Sequence, residues 1–322
     1  MPTATTDPAA NTRKARVAPE PSTVRIAGPW THRDVSANGI RLHLVERGTG
    51  PLVLLLHGFP EFWWSWRHQL VGLADAGFRT VAVDLRGYGD SDKPPRGYDG
   101  WTLAGDIAGL IRALGERTAA VVGHDWGGLL AWTVASLHPR LVRSIAPLGA
   151  AHPLAVRSAV VRDVRHQGVA SRYALGFQVP MWPERRLRRD DGAHVERIIR
   201  AWSGRAWTET PEFAEVLRRN RDAMLIPGAA HSAMEYYRWA ARSQLRTEGR
   251  RFVAAVDRPV TVPVLQLHGT ADPCLLESTA RRSRRWAGPA YTYRALPDVG
   301  HFVHQEAPAA TTEALIEFLT RH

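Results

Sequence analysis

An α/β fold, with a mostly parallel central sheet flanked by helices and interrupted by an inserted helical lid, is what this sequence predicts. Three observations carry the prediction. Strand-like apolar runs alternate with helical stretches from Thr31 to Leu148 and again from Val262 to Leu319, the pattern of a parallel sheet with helical crossovers. The run Pro51-Leu-Val-Leu-Leu-Leu56 is continuously apolar, as in a strand buried on both faces. Between Ala151 and Arg250 the alternation stops, and the chain is helical in pattern and rich in Arg and Trp.

Each element has its own signal. Thr31 to Ala37, Asn38-Gly39, then Ile40 to Glu46 reads as a hairpin, with apolar alternation at Ile40, Leu42 and Leu44 and the Asn-Gly pair that a tight turn favours. After the buried strand come a helix from about Glu61 to Ala76, a strand Thr80 to Asp84 and a helix Thr102 to Leu114. A strand Ala119 to Val122, a helix Gly127 to Leu137 and a strand Leu141 to Leu148 follow. Beyond the lid, the strand Val262 to Leu267, a helix near Leu275 to Trp286, a strand Ala290 to Leu296 and a closing helix from about Ala309 to Leu319 complete the chain. The resulting division is a core of residues 30–150 and 251–322, with 151–250 as a cap. Residues 1–29, rich in Ala, Thr and Pro without an apolar leader core, read as a disordered tail rather than a signal peptide.

Composition narrows the class. With 322 residues, 44% hydrophobic and 23% charged, the balance is that of a soluble globular protein with a sizeable core. A disulfide scaffold is excluded because Cys274 is the only cysteine. No apolar run reaches the ~18 residues that a membrane-spanning helix needs, so the expected address is the cytoplasm. The net charge is +11, and of the 42 basic residues only Lys14 and Lys93 are lysines. The densest runs, Arg185-Arg186 with Arg188-Arg189 and Arg281-Arg282 with Arg284-Arg285, lack the interleaved aromatics of a nucleic-acid platform. They read as a solvated face, with attraction to a membrane surface or to an anion as the alternative. No nucleic-acid partner is expected; association with a second copy, as a homodimer, is left open.

Chemistry concentrates after the strands. Gly123-His124-Asp125-Trp126-Gly127-Gly128 lies between a buried strand and a helix. Glycines around Asp125 suit the sharp turn that presents a nucleophile, although an aspartate there could equally be a helix cap. Asp272 follows the strand ending Leu267-His268-Gly269, and His301 stands in Val299-Gly300-His301-Phe302 after the next strand. Nucleophile, acid, histidine is the chain order of α/β hydrolases, whose loops converge at the carboxyl ends of the strands. His57-Gly58-Phe59-Pro60 follows the first buried strand, where the N–H of Phe59 and that of Trp126 suit an oxyanion hole.

These pieces resemble the α/β-hydrolase-fold epoxide hydrolases over nearly all of residues 30–322. The matching segments are His57-Gly-Phe-Pro-Glu61, Asp84-Leu-Arg-Gly-Tyr-Gly-Asp-Ser91, Gly123-His-Asp-Trp-Gly-Gly128 and Gly300-His301. Two lid pieces sharpen the resemblance: Tyr173 four residues before Phe177-Gln178, and the triplet Tyr236-Tyr237-Arg238. The resemblance implies Tyr173 and Tyr237 as the pair that binds the epoxide oxygen, and it implies no cofactor; the partners would be a small epoxide and water. The stretch Val179 to Glu184 departs from the vertebrate soluble enzymes and leaves the substrate pocket undefined, with Trp126, Phe177 and Trp182 as its candidate lining. Nothing in the spacing of His, Cys and acidic residues resembles a metal cage.

The residue types support the same chemistry independently. A carboxylate that attacks an sp³ carbon makes an ordinary ester, which water can later cleave, so an aspartate nucleophile points to opening an epoxide or displacing a halide. An alkoxide leaving group wants a proton, which two tyrosine hydroxyls can give; a halide wants N–H donors, such as those of Trp126 and Trp182. Haloalkane dehalogenase is therefore the rival reading, and a ligand-binding protein on the same scaffold is the rival from another class. Among decoys, His57 and His124 read as supports for backbone turns, and His304 and Asp298 as less suited than His301 and Asp272. Cys274 reads as packing, and Trp63, Trp64 and Trp66 as core.

Overall fold

The computed structural model describes residues 17–322. An eight-stranded sheet forms its centre: β1 (Thr31–Ala37), β2 (Ile40–Arg47), β3 (Leu52–Leu56), β4 (Arg79–Val83), β5 (Ala119–His124), β6 (Val142–Leu148), β7 (Val264–Gly269) and β8 (Tyr291–Leu296), in the spatial order β1-β2-β4-β3-β5-β6-β7-β8. β1, β2 and β4 pair antiparallel, and every other neighbour is parallel. Leu54 registers with both Val81 and Val121, and all five residues of β3 are buried, as a strand covered on both faces requires. The Asn38-Gly39 turn has positive φ at both positions, 49° and 78°, the backbone of a tight hairpin turn.

The crossovers follow the predicted alternation with shifted ends. They are α1 (Arg67–Asp75), α2 (Gly100–Ala113), α3 (Trp126–Leu137) and, between β7 and β8, α12 (Glu277–Arg281), while α13 (Val303–Glu306) and α14 (Pro308–Arg321) follow β8 and close the chain. The helix expected from Glu61 is shorter: Trp63–Trp66 forms one 3-10 turn before α1. Its residues are all buried. Between β6 and β7 lie α4 (Pro153–Arg162), α5 (Tyr173–Gly176), α6 (Trp182–Arg188), α7 (Ala193–Trp202), α8 (Arg205–Thr208), α9 (Pro211–Leu225), α10 (Ala229–Arg242) and α11 (Thr247–Val256), with no strand among them. Among the described residues, no helix is long and apolar enough to cross a membrane.

The expected disordered tail needs a correction. Residues 1–16 lie outside the described residues, but 17–29 include a 3-10 turn at Pro21–Val24 that docks on the core. Val24 is buried, and its carbonyl accepts from the Trp63 indole N–H at 2.8 Å. Arg25 reaches Asp90 at 2.6 Å and Asp34 at 2.8 Å. The Ile26 carbonyl faces His32 Nε2 at 2.9 Å, and the Pro29 carbonyl accepts from Arg47 at 2.6 Å; a few scattered contacts hold this segment, a signal too small for composition to show.

A buried ion pair ties the sheet edge to the lid. Arg86, after β4, donates to both carboxylate oxygens of Asp106 in α2, at 2.6 and 2.7 Å. Asn38 of the hairpin turn adds a third bond at 2.7 Å, and the Arg86 carbonyl accepts from the Tyr236 hydroxyl of α10 at 2.8 Å. Replacing Arg86 by Ala strands a buried carboxylate, and such a loss costs about 3–5 kcal/mol. Urea denaturation of Arg86→Ala is expected to show a drop of that size; a drop below about 1 kcal/mol, the worth of an exposed pair, would show that Asp106 is not dependent on this partner.

Candidate active site

The carboxyl ends of the parallel strands gather the predicted side chains. Asp125 follows β5 directly at φ 49°, ψ −114°, a strained conformation for a non-glycine residue. The turn closes only because its flanks are bare. A Cβ on Gly123 would lie 2.1 Å from the Gly127 carbonyl oxygen, and one on Gly127 would lie 2.1 Å from that of Leu56. The helix-cap reading of Asp125 fails, since its side chain makes no capping bond to α3. Instead Oδ1 accepts the Phe59 N–H at 2.9 Å, and Oδ2 stands 3.7 Å from His301 Nε2.

His301 and Asp272 meet as their places after β8 and β7 require. His301 Nδ1 is 2.8 Å from Asp272 Oδ2. The other Asp272 oxygen accepts the N–H groups of Cys274 and Leu275 at 2.7 and 3.0 Å, so the carboxylate cannot swing. Burial pushes the Asp272 carboxyl up, but the His301 charge and the hydrogen bonds outweigh it and hold it below its ordinary value. For His301, burial opposes the charged ring; Asp272 first, then Asp125, overcome it and hold the imidazole well above its ordinary value.

The two lid tyrosines stand over Asp125. Tyr173 lies in α5 and Tyr237 in α10, their ring centroids 6.1 Å apart. Tyr237 packs edge-on against Trp126 at 5.0 Å, Phe177 at 5.0 Å and Phe59 at 5.6 Å. Burial, then neighbouring charge including that of Asp125, raises both phenols well above their ordinary value, so both remain protonated donors. The neighbouring Tyr236 is separated from this site by its bond to the Arg86 carbonyl, whereas the buried Tyr237 hydroxyl has no hydrogen-bond partner among the described residues. A cavity of about 410 Å³ opens beside them, lined by Tyr173, Phe177, Trp182 and Trp202 among others. Trp182 is 48% exposed, which puts it at the mouth rather than the floor. A shallow groove of about 660 Å³ between α1 and α14 contains none of these residues.

The structure also shows supports that the sequence reading missed. Trp202, at the end of α7, accepts the His301 N–H through its carbonyl at 2.9 Å and packs its ring 5.5 Å from the imidazole. Glu306 accepts the N–H groups of Gly300, Phe302 and Gly204 at 2.8, 3.0 and 2.8 Å. The loop bearing His301 is thus fastened on both sides. Glu61 is buried and faces His124 Nδ1 at 2.7 Å, Gln305 at 2.7 Å and His304 at 3.3 Å; His124 Nε2 donates to the His301 carbonyl at 3.0 Å. His57 accepts the Leu85 N–H at 3.1 Å and donates to the Gly58 carbonyl at 2.9 Å. His57 and His124 are turn supports, as expected. His304, held down at about 4 by burial, faces Glu61 and not Asp125. Asp298 sits in an exposed positive-φ turn, away from the His301 ring. Glu61 followed His57-Gly58-Phe59-Pro60 in plain view, but nothing in one sequence pairs it with a histidine 63 residues later.

Known proteins share this fold. The α/β-hydrolase-fold family matches residues 51–308. Epoxide hydrolase A of Mycobacterium tuberculosis is 33% identical over 322 aligned residues, covering 91% of this chain and 98% of its own. The chain belongs to the α/β-hydrolase-fold epoxide hydrolase family. Epoxide hydrolase 3 of Xenopus tropicalis is 36% identical over 287 residues, 88% of this chain and 75% of that one. The crystal structure of epoxide hydrolase A from Mycobacterium thermoresistibile superposes with a TM-score of 0.77 at 31% identity, over 90% of this chain and 98% of the other.

Proposed function

We propose that this hydrolase converts an epoxide to a vicinal diol through a covalent ester on Asp125. The observation that carries the reading is an aspartate, rather than a serine, at the strained turn facing the His301–Asp272 pair. Asp125 Oδ2 attacks a ring carbon, and the C–O bond of the epoxide breaks. The ring oxygen takes a proton from Tyr173 or Tyr237, which hydrogen-bond it as charge builds. Oδ1, already on the Phe59 N–H, becomes the ester carbonyl oxygen. The Trp126 N–H, one of the unsatisfied donors of the first turn of α3, is its second donor when water adds and the oxygen turns anionic. Phe177 and Trp126 supply apolar wall, and Trp182 the mouth.

His301 changes role with the state of Asp125. While Asp125 is ionised, two carboxylates hold the imidazole protonated. Ester formation removes one of them, so the pKa falls and the ring can accept a proton once it has passed its own on to the tyrosinate. It then takes a proton from the attacking water, and collapse of the tetrahedral adduct returns that proton to the diol. The sequence of steps makes an isotope prediction. One turnover in water enriched in oxygen-18 is expected to give unlabelled diol and labelled Asp125, because water attacks the carbonyl carbon of the ester. Mass spectrometry that finds the label in the diol of that first turnover would show direct attack of water on the epoxide and remove the ester.

A further inference from the structure

The cavity beside Tyr173 has a charged rim and an apolar wall. Its exposed lining includes Arg172, just before α5, Arg186 of α6 and Arg197 of α7, while Tyr173 and Trp202 are half-buried and Phe177 is buried. None of the three arginines has a carboxylate partner among the described residues. Arg186 lies over the Trp182 ring at 5.1 Å, and Arg197 spends one N–H on the Ala193 carbonyl of its own helix. Neighbouring acids are engaged elsewhere: Glu184 holds Arg238 at 2.6 Å, and Glu196 holds Arg221 at 3.0 Å. The imidazole of His194, also in the lining, is pushed to about 4 by burial and then by Arg186 and Arg197, so it leaves their charge undiminished.

We infer that these three arginines form an anion subsite, and that the preferred substrates are epoxides with an apolar stem ending in an anionic group, a carboxylate in the simplest case. The inference rests on the epoxide reading above and deepens it. Three unpaired cations around one opening repel one another, a cost that an anionic guest relieves. A guest that met only the rim, as a polyanion surface would, leaves the walls of Phe177, Tyr173 and Trp202 unused. An apolar stem reaching Tyr173 with its anion at the mouth uses both.

The test compares terminal epoxy-alkanoates of stepped chain length with their methyl esters, on the wild type and on Arg172→Gln, Arg186→Gln, Arg197→Gln and the triple variant. For at least one chain length kcat/KM is expected to favour the carboxylate. That ratio is expected to fall about three- to fivefold for each arginine removed, the scale of solvent-exposed charge pairs, and about tenfold or more in the triple variant. It is also expected to shrink as salt is raised. Turnover of the esters with a ratio near one at every chain length, or a ratio that the triple variant leaves in place, overturns the anion subsite while the epoxide reading stands. If the wild type turns over neither acid nor ester, the epoxide reading falls and the subsite with it.

Discussion

His301→Gln enzyme mixed with an epoxide is expected to gain the mass of one substrate molecule and to go no further. The geometry separates the two half-reactions. Alkylation needs the Asp125 carboxylate, held by the Phe59 N–H at 2.9 Å, and the tyrosine donors, and none of these is supplied by the imidazole. Hydrolysis needs a base beside Oδ2, where His301 Nε2 stands at 3.7 Å, and no other described group replaces it: His304 is turned to Glu61. Loss of a positioned general base costs ~10²–10⁴ in rate, so the ester should accumulate and be visible in intact-protein mass spectra. Asp125→Asn serves as the control and should show no adduct. An unmodified His301→Gln protein during exposure to an epoxide that the wild type consumes would count against the covalent route.

The convergence of Asp125, Asp272 and His301, the proposed catalytic core, was legible in the sequence because each of them follows a strand. In a parallel sheet all those strands end on one side, so chain order alone places Asp125, Asp272 and His301 together. The structure adds only the distances. The two glycines that could not bear a Cβ, Gly123 and Gly127, account for the sharp turn around Asp125; the sequence left that turn open between a nucleophile's and a helix cap's, and only the absence of a capping bond decides against the cap. Tyr173 and Tyr237 came from the resemblance; periodicity could not separate Tyr237 from Tyr236, since both are buried on α10.

What was not legible depends on contacts between distant segments. Trp202 holds His301 through its main chain, a role that any residue type can fill, and the packing of its ring on the imidazole joins segments far apart in the chain, so spacing carries no signal of either. Glu61, His124 and Gln305 form one buried cluster across 244 residues of sequence separation. The docking of residues 17–29 turns on single contacts to distant residues, Val24 with Trp63, Arg25 with Asp90, Ile26 with His32 and Pro29 with Arg47. The unpaired arginines of the cavity rim were hidden in plain view: composition showed an excess of cations, and only the fold shows which of them lack acids.

Removing the tyrosine hydroxyls should have the second large effect, and it separates epoxide from halide chemistry. Tyr173→Phe and Tyr237→Phe are each expected to slow alkylation, and the double variant to lose nearly all of it, within the ~10²–10⁴ that general-acid assistance contributes. Both phenols sit where burial and the Asp125 charge keep them protonated. Their bonds strengthen as negative charge develops on the ring oxygen, so the loss should fall on the alkylation rate more than on ground-state binding. A second donor remains in each single variant, because the two rings lie 6.1 Å apart above the same carboxylate; the double variant should therefore lose more than the product of the single effects. Stopped-flow quenching of the neighbouring tryptophans follows the alkylation step directly, since Trp126 lies 5.0 Å from Tyr237 and Trp202 5.0 Å from Tyr173. Halide departure needs no proton, so a dehalogenase would scarcely respond to either change. Alkylation at the wild-type rate in both single variants would take the tyrosine pair out of the mechanism and favour halide displacement, with the N–H groups of Trp126 and Trp182 as the donors to test next.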